Sequence, residues 1–131
     1  MISVKKSGIL SIDFGERYFG FAIKLSDEST IFPLEVIDSN SVNIVNVINE
    51  YIADYSIDII VVGYPIGLSG SETRMSVLVD AFIEKLKDKT KLTIHKIDER
   101  FSSKLNKRKN DSRIDGASAL VNLETYIRNN E

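Results

Sequence analysis

Residues 8 to 23, GILSIDFGERYFGFAI, decide how the rest of the chain is read. An apolar run through Ile9, Leu10 and Ile12 ends in a carboxylate, Asp13. Gly15 follows two residues later, before a second β-prone run from Tyr18 to Ile23. The pattern predicts a hairpin with an acid at its mouth. A strand of this kind is covered by its neighbours, and an enclosed carboxylate without a partner costs roughly several kcal/mol, so a cation is expected to meet Asp13. Gly15 permits a positive φ and a close backbone approach, which a tight turn beside a ligand needs. On its own, D-x-G also describes a solvated turn.

Beyond the hairpin, Thr30 to Ile37 is a third β-prone run, and Pro33 places it at a sheet edge because proline cannot donate to a ladder. Ile44, Val47, Ile48, Tyr51, Ile52 and Tyr55 fall on one helical face, with Ser41 as N-cap. IDIIVVG, residues 57 to 63, is too short for a helix and apolar on both faces, which predicts a central parallel strand. The glycine-rich loop GYPIGLSGSE (63 to 72) leads into a helix with Met75, Leu78, Val79, Phe82, Ile83 and Leu86 inward, and Ser69 with Glu72 has capping-box spacing. Leu92 to Ile97 is a fifth strand, running into Asp98, Glu99 and Arg100. A last helix covers roughly residues 113 to 128, with Ile114, Ala117, Leu120, Val121 and Ile127 inward. The expected fold is α/β, a five-stranded mixed sheet in the order β-β-β-α-β-α-β-α with helices packed on it, in one domain over residues 1 to 131.

Composition narrows the function. The chain has no cysteine, which excludes disulfides, zinc-thiolate sites and thiol catalysis. No apolar run approaches the roughly 20 residues of a membrane span, and the two early lysines precede no apolar core, so a soluble cytoplasmic protein is expected. Net charge is −2, yet residues 96 to 113 hold seven basic side chains against three acidic ones, a local +4. Lys104, Lys107, Arg108 and Lys109 in that stretch are the footprint expected of phosphate contacts, although a solvated basic loop has the same composition.

Carboxylates recur at element ends: Asp13, then Asp98 with Glu99, then Asp115 at the start of the last helix. Ser112 and Asp115 also have capping-box spacing, so sequence alone gives Asp115 a structural alternative. Acids gathered from separate elements repel unless a divalent cation neutralises them, and an oxygen-only donor set suits Mg²⁺ or Mn²⁺. Two such ions about 4 Å apart activate water and stabilise the leaving oxygen in phosphodiester cleavage. Lone His95 reads as a surface strand residue.

Four motifs in this order, LSIDFGERYFGFA (10 to 22), VVGYPIGLSGSE (61 to 72), DERFSS (98 to 103) and RIDGASALVNLETYI (113 to 127), resemble the YqgF/RuvX family over nearly the whole chain. These are small RNase H-fold proteins described as Holliday junction resolvase-like and as nucleases that process the 5′ end of pre-16S ribosomal RNA. The resemblance implies a metal-dependent nuclease, with Asp13 the first-strand ligand, Glu99 or Asp98 the second acid and Asp115 the acid from the last helix. It places Ser102 and Ser103 beside the substrate backbone and Arg100 on phosphate. The chain departs from the family pattern at Ser11, where glycine is usual, at Gly67, where asparagine is customary, and in a shortened stretch between Ser103 and Asp115. Cleavage of pre-rRNA is the first expectation. A resolvase cutting branched DNA and a catalytically inactive nucleic-acid-binding module are the alternatives, and a monomer or a homodimer suits the first. A sugar-kinase-type phosphotransferase shares the hairpin but needs two such domains.

Overall fold

The structure is a computed structural model that describes residues 7–26, 30–64, 74–98 and 115–130. In chain order the elements are β1 (Gly8–Asp13), β2 (Tyr18–Lys24), β3 (Ile31–Pro33), β4 (Ile37–Asp38), α1 (Ile44–Tyr55), β5 (Ile57–Tyr64), α2 (Arg74–Thr90), β6 (Thr93–Asp98) and α3 (Asp115–Asn130). The sheet order is β3-β2-β1-β5-β6, with β4 pairing the start of β2. β1 and β2 form the antiparallel hairpin, while β5 runs parallel to β1 on one side and to β6 on the other. The mixed sheet and the central place of 57 to 63 agree with the sequence reading.

The third run is where strand count differs. It breaks after Pro33 and re-pairs through Ile37 and Asp38, giving a sixth, two-residue strand against Phe19 and Tyr18. Just past Pro33 the Leu34 N–H still donates to the Phe21 carbonyl at 2.8 Å, and the chain then leaves the ladder and rejoins it where Arg17 clasps Asp38, Nη2 to Oδ2 at 3.0 Å. Asn43, not Ser41, caps α1, its side-chain oxygen accepting the Asn46 N–H at 3.2 Å. The helix therefore starts with Ile44, whose side chain is already in the core. Ser69 and Glu72 lie outside the described residues.

Period-two alternation sorts the strands between two apolar layers. Leu10, Ile12, Phe21, Ile23, Ile60 and Val62 face α1 and α2, meeting Ile48, Val79, Ile83 and Leu86. Ile9, Ala22, Ile59 and Val61 face α3, meeting Ala119, Leu123 and Tyr126. Each fully buried aliphatic side chain is worth about 1.5–3 kcal/mol, which is why a chain without cysteine needs no covalent staple. The inward stripe of α3 corrects the sequence reading: Ala119, Asn122, Leu123 and Tyr126 are buried, whereas Val121 is only half-buried. Leu120 and Ile127 pack at its margin, and the side chains of residues 114 and 117 lie outside the description.

Two glycines permit close approach. A β-carbon on Gly8 would come within 2.5 Å of the Ser56 carbonyl oxygen, where α1 turns into β5, and one on Gly15 would collide with the Tyr18 carbonyl oxygen. Close approach, not a positive φ, is thus what the hairpin asks of Gly15.

Candidate nucleic-acid processing site

Asp13 ends β1 and is half-buried. The parallel pairing puts the carboxyl ends of β1, β5 and β6 on one edge, and Asp98 ends β6 opposite Tyr64. With β5 between them, Asp13 and Asp98 stand two strand spacings apart, about 10 Å. Asp115 opens α3.

One hydrogen bond ties that helix to the acid-bearing strand. Ser11 is fully buried and its hydroxyl donates to the Ala119 carbonyl at 2.7 Å. Asp115 lies one helical turn before Ala119, about 6 Å along the axis, and Asp13 lies two residues beyond Ser11, about 6.6 Å along the strand. Ile9, one pleat earlier, shares its cluster with Leu123 and Tyr126, later on the helix. The helix therefore runs back along β1 and its first turn approaches the end that carries Asp13. The departure at Ser11 has a structural use, since glycine has no hydroxyl to make this bond. Removing it with Ser11→Ala should cost about 0.5–1.5 kcal/mol in denaturant titration, and an unchanged midpoint would show that the bond does not hold the helix.

Asp13 offers only oxygen, the donor type a hard cation takes, and the chain's single histidine is elsewhere. His95 is exposed, its ring 5.2 Å from Tyr126, which is about 16 Å along α3 from Asp115. It is the surface strand residue expected. Among the described residues no three of His, Cys, Asp or Glu converge on a metal site. Glu99, Arg100, Ser102, Ser103, Lys104, Lys107, Arg108 and Lys109 lie outside those residues, as do the side chains of Asp98 and Asp115.

On the opposite face, sequence reading missed a polar cluster. Tyr64 donates its hydroxyl to Asp80 Oδ2 at 2.8 Å, and Lys96 Nζ reaches Asp80 Oδ1 at 2.9 Å while lying 4.4 Å from the Tyr64 ring centre. The hydrogen bond from Lys96 holds the Asp80 carboxyl below its ordinary range, and the bond to Asp80 raises the Tyr64 phenol. Lys96 therefore braces the end of β6 against α2, a use hidden when it is counted among the basic residues. Its even strand position, opposite in parity to His95, was the available signal.

A mixed sheet ordered β3-β2-β1-β5-β6, with helices on both faces and an acid ending the first strand, defines the class as RNase H-like. A solved structure of RuvC from T. thermophilus in complex with a Holliday junction substrate has this fold, with a TM-score of 0.52 at 10% identity over 86% of this chain and 78% of that one. The family model described as RuvX, Holliday junction resolvase, matches residues 7–129, and the chain belongs to that family. Its relatives include proteins named "Putative pre-16S rRNA nuclease". One, from Karelsulcia muelleri, is 34% identical over 93% of this chain and 99% of its own length. Another, from Orientia tsutsugamushi, is 39% identical over 76% of this chain, and the match spans 63% of that relative. Among the described residues, no helix is long and apolar enough to cross a membrane.

Proposed function

We propose that this protein is a divalent-metal-dependent nuclease that cleaves phosphodiester bonds in structured nucleic acid and processes the 5′ end of pre-16S ribosomal RNA. The observation that carries the reading is the Ser11–Ala119 bond, which draws the first turn of α3 toward Asp13. The names of the family's relatives supply the substrate. Asp13, Glu99 and Asp115 would hold the metal, probed as Mg²⁺ or Mn²⁺ and taken as two ions. When bound, these ions supply water activation and charge neutralisation at the leaving oxygen. The protein's own part is to gather the carboxylates and orient the phosphate, with Arg100 and the basic stretch on the backbone and Ser102 and Ser103 beside it. Nothing in this scheme requires a dimer.

Of the two adjacent acids, this reading takes Glu99 as the second ligand, with Asp98 as the alternative. Asp98→Asn should keep cleavage within about tenfold of the parent. Loss there, with Glu99→Gln active, would reverse the assignment.

The test is incubation with labelled pre-16S leader RNA and with a synthetic four-way junction, in Mg²⁺ and in Mn²⁺. Cleavage of the leader at its 5′ processing site supports the proposal. Cleavage of the junction alone gives the resolvase reading, and binding without cleavage gives the inactive module. Changing Lys107, Arg108 and Lys109 to Ala should weaken binding to every substrate and lower its salt dependence, each lost phosphate contact removing roughly 0.7 to 0.9 from the slope. An unaltered slope would make the segment a solvated loop.

A further inference from the structure

Behind the hairpin tip, on the face away from α3, lies an open cleft of about 340 Å³. Phe14, the residue after Asp13, forms part of its wall with Phe19 and Phe82, their ring centres 5.1–5.3 Å apart. Val42 stands at the cleft 46% exposed, one of two large apolar side chains left so open among the described residues. Ser39 and Asn43 add hydrogen-bonding groups. The Asn43 side-chain oxygen is engaged by the Asn46 N–H, which leaves its amide N–H groups as donors.

Charge around the cleft favours an anionic chain. The carboxylate on its wall, Glu16, is clasped by Arg74 at 2.7 Å, a bond that also holds Glu16 below its ordinary range. Lys85, exposed on α2, contributes a cation to the lining. Aromatic and aliphatic walls, a few polar groups and a neighbouring cation are what an unpaired base and its phosphate require, since single strands are held by stacking together with backbone charge. The size falls at the lower end of ordinary ligand pockets, ample for one base.

We infer that this cleft receives one unpaired nucleobase of the nucleic-acid substrate, close along the strand to the scissile phosphate. The inference rests on the nuclease reading: alternation sets the Asp13 and Phe14 side chains on opposite faces, but the cleft is lined by the hairpin-tip residues Phe14, Gly15 and Glu16 that directly follow Asp13, so a strand passing over the tip reaches both. It makes the enzyme selective for substrates single-stranded beside the cut.

Abasic scanning tests it. A series of labelled single-stranded oligonucleotides derived from the cleaved substrate, each with one abasic position, is titrated by fluorescence anisotropy in Ca²⁺ and then assayed for cleavage in Mg²⁺. One position next to the cut should weaken binding by about five- to a hundredfold and raise KM with little change in kcat. In Val42→Glu, which sets a carboxylate at the rim without disturbing the buried core, binding of the intact strand should weaken similarly and that position should lose its effect. Phe82→Leu, which keeps apolar volume but removes a ring, should act in the same direction. Cleavage with no position-specific abasic effect, or with the same effect in Val42→Glu as in the parent, overturns the inference and leaves the nuclease reading standing. Failure to bind or cut any nucleic acid overturns both.

Discussion

Asp13→Asn is expected to reduce cleavage by on the order of 10²- to 10³-fold or more while the protein stays folded. The amide keeps the shape of the carboxyl group at the end of β1, so the strand pairing of Asp13 with Gly20 survives. What is lost is the charge that would hold a cation. The amide relieves repulsion from the acidic neighbours proposed at the same edge, so the thermal midpoint of the metal-free protein should stay level or rise. Adding Mg²⁺ should stabilise the parent by ligand linkage and the variant much less. An unfolded variant would make Asp13 a structural residue, and an active one would remove it from the site.

At Asp115 the second large effect decides between a helix cap and a ligand. As a capping-box acceptor, Asp115 would tolerate Glu, and Ala would cost about 1 kcal/mol with cleavage by the folded fraction untouched. As a ligand it tolerates neither lost charge nor displaced oxygens. Glu moves them by about one C–C bond, beyond the roughly 0.5 Å tolerance of functional geometry. Asp115→Asn and Asp115→Glu should therefore both fold and both lose most metal-dependent cleavage. The placement of Asp115 one turn before the Ala119 carbonyl bound by Ser11 shifts the balance toward the ligand, where capping-box spacing alone favoured the cap. Near-parental activity of folded Asp115→Asn at saturating Mg²⁺ would return the residue to its structural role.

Local patterns in the sequence determined the hairpin, the doubly covered strand at 57 to 63, the helical stripe through Val79, Ile83 and Leu86, and the family through four ordered motifs. Each follows from periodicity or from the chemistry of a short segment, both of which are local. Tertiary structure alone decided the rest. Pro33 marked an edge, but only pairing with Phe19 and Tyr18 made Ile37 and Asp38 a separate strand. The face that α3 buries was misread because Asn122 is buried there, where hydropathy expects apolar side chains. Ser11 is 108 residues from Ala119, and no local signal links them. Likewise Tyr64, Asp80 and Lys96 come from three elements, and the aromatic cleft joins the hairpin tip to both α1 and α2. Short-range order follows from side-chain size and backbone preference, whereas a site is made of distances between elements, which exist only once the chain has packed.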